Sequence, residues 1–337
     1  MGKFGNSDKS ILTKNNEIQK IRNFKKNKVK IGTIMLEFRK ITRENFSELL
    51  PFFANELESQ KRNKVRIADY TPGSVMMWHD TYDDRFAIVG DAVIFNTKFE
   101  NGQRCYYYPV GKNKKHAIKA LAAHIKECGG CAVIADVGEG RISKISKEMY
   151  IVEAYSSRDM ADYLYNKSEF ENPAGRKHHK RKNLINRFAS ENPWAHFEPL
   201  SKDNIDDALK YYKDYSRRNP ESSSIENDEY KENVKLLSDF DFDIFSGGLL
   251  YSGDKIIGLT IGEVYGDTVY VHTEKAEKEI AGSYQTLSKD YLLSITDSTV
   301  KYVNREEDLG LPGLRRSKMA YGPAWLEYKY VLRVTVE

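Results

Sequence analysis

Glu263, His272 and Glu274 stand on two stretches, 255–264 and 268–274, that read as neighbouring strands, because both are rich in β-branched residues and a Tyr-Gly-Asp turn joins them. Side chains alternate along a strand, so His272 and Glu274 share a face, while Lys275 takes the other or already belongs to the next turn. A carboxylate on a central strand is costly unless it is paired or used. Glu263 and Glu274 are therefore candidates to bind a substrate amine or to act as a general base. A structural ion pair between Glu274 and a nearby Lys or Arg is the alternative. A second cluster follows the strand near 300–303. Asn304, Arg305, Glu306, Glu307 and Asp308 enter a loop punctuated by Gly and Pro, and a short helix then carries Arg315 and Lys318 one turn apart, with Tyr321 behind them. Loops at strand ends are frequent seats of chemistry. Both signs of charge in so short a span suit a zwitterionic or ester substrate, and a self-paired salt-bridge network is the competing reading.

The densest charge lies at 175–188, GRKHHKRKNLINRF. Asn172 followed by Pro173 suits a helix start. Helical spacing puts Lys177 and Arg181 on the same side as Leu184 and Phe188. Cations turned toward the protein body need an anion, either a carboxylate or a bound phosphate. Lys177, Lys180 and Arg181 are thus candidates to hold the phosphates of a donor, and a solvated basic linker is the plainer alternative.

Cys105, Cys128 and Cys131 are the only cysteines, and no secretory leader accompanies them, which argues against a disulfide framework. Cys128-Gly-Gly-Cys131 has redox or metal spacing with His124 one helical turn earlier. The second ligand pair that would close a zinc site is missing, and the same residues read as a helix over 116–126, stopped by two glycines before a buried strand at 131–137. No metal is expected.

The elements that would position these residues occur twice in one order. Strands at 85–89, 92–99 and 104–110 form a meander, followed by the 116–126 helix and the 131–137 strand. A second meander at 248–251, 255–264 and 268–274 is followed by a helix opened by Gly282 and a strand through 300–303. Each unit is preceded by helices, one carrying Phe46, Leu49, Leu50 and Phe53 behind a Thr42 or Asn45 cap, the others carrying Ile205, Leu209 and Tyr212 and then Tyr230, Val234 and Leu237. This is the element order of GNAT acyltransferases. The expected fold is α+β, an α/β sandwich of two tandem GNAT-like domains, each a mixed, mostly antiparallel sheet flanked by helices. The expected divisions are a basic tail over 1–34, a first domain over 35–170, a basic linking helix over 171–190 and a second domain over 191–337. The tail is expected to be poorly ordered and non-catalytic, with Met35 as an alternative start. It carries a charge of +7, which leaves residues 35–337 at −3 within a total of +4, so any nucleic-acid contact must come from a local patch. No apolar run approaches the roughly 20 residues that span a bilayer, and a cytoplasmic location is expected.

Taken together, the Tyr165–Asn166 neighbourhood, the 175–188 run, Gly262-Glu263, HTEKA at 272–276, GSYQ at 282–285 and NREEDLGLPGLRRSKMAYGP at 304–323 resemble the family named for the C-terminal domain of phosphatidylglycerol lysyltransferase. The likeness runs from about residue 36 to the C-terminus and is strongest to stand-alone members of that family. It implies two tandem GNAT-like domains and transfer of an aminoacyl or acyl group to an amine or hydroxyl acceptor. The lysyltransferases carry a large membrane-spanning part that this sequence lacks, which argues against a lipid acceptor. On this reading Glu263, Glu274, Asp308 and Tyr321 are the catalytic candidates. His272, Asn304, Arg305, Glu306, Arg315 and Lys318 bind substrate or steady a developing oxyanion. Lys177, Lys180 and Arg181 hold the donor's phosphates. Aminoacyl-tRNA is the expected donor and tRNA the expected partner, with a small-molecule acceptor. A GNAT protein binds the pyrophosphate of CoA through a glycine-containing loop at a helix N-terminus. The corresponding places here, 279–284 and 111–116, fit poorly: the first opens on the acidic Glu279, and the second has one glycine. Acetyl-CoA is thus the alternative donor, and a non-catalytic binder of tRNA or an acidic ligand is the alternative from a different class.

Overall fold

The computed structural model describes residues 35–63, 65–99, 101–220 and 224–337. The expected tail at 1–34 lies outside the described residues. Along the chain run β1 (Arg39–Lys40), α1 (Leu50–Asn63), α2 (Pro72–Trp78), β2 (Arg85–Val89), β3 (Ala92–Lys98), β4 (Arg104–Tyr107), β5 (Val110–Gly111), α3 (Lys114–Glu127), β6 (Cys131–Gly138), α4 (Glu139–Ile145), β7 (Tyr150–Ser156), β8 (Asp162–Asn166) and α5 (Lys167–Glu171). The basic helix α6 (Gly175–Glu191) follows, then β9 (Ala195–Pro199), α7 (Ile205–Arg218), α8 (Ser224–Ser238), β10 (Ser246–Ser252), β11 (Lys255–Tyr265), β12 (Thr268–Ala276), α9 (Ser283–Ser294), β13 (Tyr302–Asn304), α10 (Pro312–Ala320), β14 (Trp325–Glu327) and β15 (Lys329–Thr335). Both meanders and the helix and strand after each form as the periodicity predicts. The helix start expected at Asn172-Pro173 is displaced: α6 begins at Gly175 behind Ala174, with no side-chain cap.

The strands form two sheets. One has the order β1-β2-β3-β4-β6-β15-β7, with β5 added on β3, and the other has the order β14-β8-β13-β12-β11-β10-β9. Each is antiparallel except at one place, β4 beside β6 in the first and β12 beside β13 in the second. Two strands lie across the boundaries expected from the sequence. β8 precedes the basic helix yet sits in the second sheet between β14 and β13, and β15 ends the chain yet sits in the first sheet between β6 and β7. Each half is completed by a strand of the other. The reason this was not visible is physical: an apolar strand pattern reports that a strand must be buried, not which sheet buries it.

One apolar cluster runs through both halves, from Phe53, Phe95, Ile118 and Leu332 to Tyr212, Leu249, Leu259 and Tyr270. Polar contacts also cross the seam. Tyr265 donates to the carbonyl of Phe53 at 2.5 Å, and Arg66 makes two hydrogen bonds to Asp267, at 3.0 and 2.7 Å.

Candidate active site

β12 and β13 pair only as far as Tyr270 and Asn304. β12 then continues to Ala276 while β13 ends, so the two diverge. His272 and Glu274 face this split from one side, and Arg305 and Glu306 face it from the other. Glu306 has a left-handed backbone, with φ 55°, a conformation uncommon outside glycine. It breaks the alternation predicted for Asn304, Glu306 and Asp308 and sends four consecutive charged residues into four separate networks.

Arg305 donates to Glu274 at 2.5 Å, and the other oxygen of that carboxylate accepts from the Ser288 hydroxyl. The guanidinium lies 4.4 Å above the ring of Tyr321. Glu306 meets Nδ1 of His272 at 2.8 Å, while Nε2 of the same ring meets Glu263 at 3.0 Å. Glu263 also accepts the backbone N–H groups of Gly73 at 2.9 Å and Ser74 at 3.3 Å, at the start of α2 in the first half. Glu307 reaches Lys329 at 3.1 Å. Asp308 takes two bonds from Arg315, each 2.8 Å, one from the Tyr163 hydroxyl at 2.5 Å and one from the Gly310 N–H at 2.9 Å. The loop is pinned from below by Lys318, whose amine donates to the carbonyls of Arg305 and Glu307. Asn304 bonds the Arg66 carbonyl at 2.7 Å and Asp162 at 2.9 Å, and it accepts the Glu306 N–H at 2.7 Å.

These partners sort the predicted residues. Burial alone would raise the Asp308 carboxyl, but Arg315, Tyr163 and the Gly310 N–H bring it down to about 2. It is therefore ionised and saturated at neutral pH, which suits a structural anchor and not the proton acceptor expected from the sequence. Glu263 is 1% exposed and its oxygens are committed to α2 and His272, so it too sits away from any free space. Arg315 also bonds Asp159 at 2.5 Å, and Lys318 is occupied by carbonyls, with burial lowering its amine to about 8. Neither is placed to steady an oxyanion. Asn304 is a backbone clamp. Glu274, Arg305 and Tyr321 do come together. Glu274 forms the ion pair that was the plainer reading, yet the site is not saturated: Nη1 of Arg305, the Tyr321 hydroxyl and Oγ1 of Thr260 are buried without a hydrogen-bond partner. Tyr321 lies close to Arg305 and Ser288, and burial raises its pKa, so it stays protonated as a donor. The cleft, lined also by Phe170, Val271 and Leu292, leaves no room for a water molecule.

The basic helix divides in the same way. Arg181 is buried beside the stacked rings of Phe170 and Tyr321, 4.8 and 5.3 Å from their centroids, and donates to the carbonyls of Glu169 and Tyr321. It faces inward and is removed from any phosphate, because aromatic faces and carbonyl oxygens supply the negative potential that a carboxylate or phosphate was expected to supply. Lys177 is exposed, 3.5 Å from Glu169, and Lys180 is exposed with no ion-pair partner among the described residues.

Sequence reasoning missed Ser288 and the buried ammonium of Lys329, which lies 2.8 Å from Asp69 and 3.1 Å from Asp162 as well as near Glu307. The signal was present: Lys329 and Asp162 each open a strand and stand directly before a Tyr-Val-Leu or Tyr-Leu-Tyr run. The Cys128-Gly-Gly-Cys131 segment ends α3 and begins β6 as predicted. Both thiols are exposed, and Cys128 lies 3.6 Å from Nε2 of His124.

The His272 network gives a pH signature. Burial would lower the imidazole pKa, but hydrogen bonds to Glu263 and Glu306 push it up to about 10 from 6.5. The stabilisation is complete below the unfolded value of 6.5 and is lost as pH rises through about 10. The melting temperature of the protein is expected to fall across that window. In a His272→Gln variant that part of the slope should vanish, and a variant with the wild-type slope would show that the ring is not charged.

Two sheets flanked by helices, each with a parallel pair that splits at its end, define a GNAT-like fold built twice in one chain. The chain belongs to the family described as phosphatidylglycerol lysyltransferase, C-terminal, whose profile matches residues 62–333. Among solved structures it is similar to a conserved protein of unknown function from Bacteroides thetaiotaomicron, at 26% identity and a TM-score of 0.80, over 89% of this chain and 100% of that one. L-PGS from Bacillus licheniformis matches at 13% identity and a TM-score of 0.54, over 82% and 90% of the two chains. FemX matches at 10% identity and a TM-score of 0.55, over 88% and 97%. The last two likenesses are of fold. No curated protein matches the chain. No described helix is long and apolar enough to cross a membrane.

Proposed function

We propose that this protein is an aminoacyl- or acyltransferase that moves an acyl group from a phosphate-bearing donor, aminoacyl-tRNA, to an amine or hydroxyl acceptor in the cytoplasm. The observation that carries this reading is the pair of unfilled donors, Arg305 Nη1 and the Tyr321 hydroxyl, side by side at the strand split and next to the Glu274 carboxylate. Two fixed donors at one point suit the oxyanion that forms when an acceptor attacks an ester carbonyl. Glu274 orients the acceptor's amine or takes its proton, and Tyr321 returns a proton to the departing ribose oxygen.

The exposed face of α6 supports a polyanionic donor. Arg176, Lys177, Lys180 and Lys182 are exposed, and the first turn of the helix holds no acidic residue. In that first turn Arg176 and Lys177 oppose the macrodipole, at a cost of about 0.3–1 kcal/mol each, which a bound phosphate backbone would reverse. The sites where CoA phosphates would sit argue the other way. Gly282 precedes α9, but a β-carbon there would collide with the Leu184 carbonyl, so α6 roofs this helix start. At the start of α3 the fully buried Glu56 carboxylate already receives the Gly111 N–H at 3.0 Å, Lys114 at 2.6 Å and Arg141 at 2.8 Å.

The test is a thermal-shift screen against acetyl-CoA, uncharged tRNA and aminoacyl-tRNA, followed by a radiolabel transfer assay with the ligand that shifts. A larger shift with charged than with uncharged tRNA, and a labelled product, is the expected result. A shift with acetyl-CoA alone would overturn the donor assignment, and tRNA binding with no product would make the protein a binder. For the tRNA contact, changing Arg176, Lys180 and Lys182 to Gln should lower the slope of log affinity against log salt by roughly 2–3. An unchanged slope would exclude this helix.

A further inference from the structure

α3 ends on a segment that the acyl-transfer site does not use, Cys128-Gly-Gly-Cys131, whose two thiols are exposed while that of Cys105 is buried. His124, one helical turn before Cys128, is buried. Its ring packs against those of Phe38, at 5.4 Å, and Tyr106, at 6.0 Å. Nδ1 accepts the backbone N–H of Leu36 at 3.3 Å, so that nitrogen carries no proton of its own. Burial lowers the imidazole pKa, which keeps the ring neutral at neutral pH. Its one proton is therefore on Nε2, the nitrogen that lies 3.6 Å from Sγ of Cys128. The tautomer fixed by Leu36 makes His124 a hydrogen-bond donor to that sulfur.

An N–H held against a sulfur steadies the negative charge on which attack by a thiol depends. The second thiol is brought back toward the first by the turn between them. Gly129 and Gly130 have φ of 114° and 76°, a region that favours glycine. Their N–H groups bond the carbonyls of Lys126 at 3.3 Å and Ile125 at 2.8 Å, which folds the chain over the helix end. Cys131 then opens β6, opposite Thr335 of β15, with only glycine between the two thiols. The Gly130 carbonyl accepts the Val336 N–H at 2.8 Å, so the turn is also held from the C-terminal strand. Among the described residues no group of three His, Cys, Asp or Glu side chains is placed to ligate one metal ion. Two exposed thiols, one of them carrying a fixed donor, suit exchange with a disulfide, which is distinct from a structural cross-link.

We propose that Cys128 and Cys131 form a thiol–disulfide exchange site for a low-molecular-weight disulfide, with Cys128 as the attacking thiol and Cys131 as the resolving one. The Cys128 sulfur, its proton given to solvent, attacks one sulfur of the small disulfide. A mixed disulfide forms and the first small thiolate leaves. Cys131, likewise deprotonated, attacks Sγ of Cys128, closes the Cys128–Cys131 bond and expels the second small thiolate. The protein dithiol is oxidised to a disulfide, the small disulfide is reduced to two thiols, and the two protons pass through solvent to those thiols. This inference stands apart from the acyl-transfer reading, since it is read in thiol chemistry alone. Reduced full-length protein is incubated with oxidised glutathione at neutral pH, quenched with acid, and followed by intact mass and peptide mapping. The wild type should lose two hydrogens and yield a Cys128–Cys131 cross-link, with Cys105 unmodified. Cys131→Ser should accumulate a glutathione adduct on Cys128. In Cys128→Ser the remaining Cys131 should react roughly tenfold more slowly than Cys128 does in Cys131→Ser, and adding His124→Leu to Cys131→Ser should slow the Cys128 reaction by a similar factor. Equal rates at the two thiols would overturn the proposal, as would a Cys128 rate unchanged by His124→Leu, a wild type that does not react, or one that keeps the glutathione adduct without closing the cross-link. Both serine variants alter exposed side chains, so their comparison decides the matter even where His124→Leu melts lower.

Discussion

A chain that stops at Tyr328 is expected to lose the first half of the fold, although the residues removed are the last nine of 337. β15 is an interior strand of the first sheet, paired with β6 on one side and β7 on the other. Its Leu332 and Val334 are 0% and 2% exposed, and burying such side chains stabilises by about 1.5–3 kcal/mol each. The same deletion removes Lys329 and leaves three carboxylates facing one another, and breaking a buried charge cluster in this way costs about 3–5 kcal/mol. These terms, with the lost ladder on both sides, compare with the whole stability of a typical domain, about 5–15 kcal/mol. Circular dichroism and denaturant titration should show no cooperative transition of wild-type size. By the same reasoning, residues 35–170 and 191–337 expressed separately should each fail to fold, since each lacks a strand that the other carries. A truncated chain with the wild-type midpoint would show that the exchange contributes nothing to stability.

The second large effect separates stability from chemistry at the split. Tyr321→Phe removes a hydroxyl without a hydrogen-bond partner, so the melting temperature should stay within a degree or two or rise, because an unsatisfied buried hydroxyl is itself unfavourable. If that hydroxyl meets the reacting oxygen, transfer should fall by about 10²–10³-fold, the usual loss for one oxyanion donor. Arg305→Met should do both. It abolishes the second donor, and it leaves Glu274, whose side chain is 8% exposed, buried opposite no cation, at a cost of about 3–5 kcal/mol. Removing the unpaired charge as well, in a Glu274→Gln, Arg305→Met double variant, should recover much of the stability and none of the activity. Full activity in Tyr321→Phe would remove the hydroxyl from the mechanism and leave the site to Arg305 and Glu274 alone.

The sequence by itself determined the elements. The two meanders, α3 with β6, and α9 with β13 are set by local periodicity and by turn residues such as Asn101-Gly102 and Gly266-Asp267, and local patterns are sufficient to specify local structure. It also singled out Glu274, Arg305 and Tyr321, which the fold brings together. What it left open was the use of each charged residue. Asp308 and Arg315 differ from Glu274 and Arg305 only in whether their hydrogen-bonding capacity is exhausted, and that depends on Tyr163 and Asp159, about 150 residues away along the chain. Arg181 was expected to need an anion, but two aromatic rings and two carbonyls meet it instead. The exchange of β8 and β15, the left-handed turn at Glu306, and the carboxylates gathered around Lys329 were decided by tertiary structure alone. All three arise where one half touches the other, and contacts at such separation leave no periodic trace in the residues that make them.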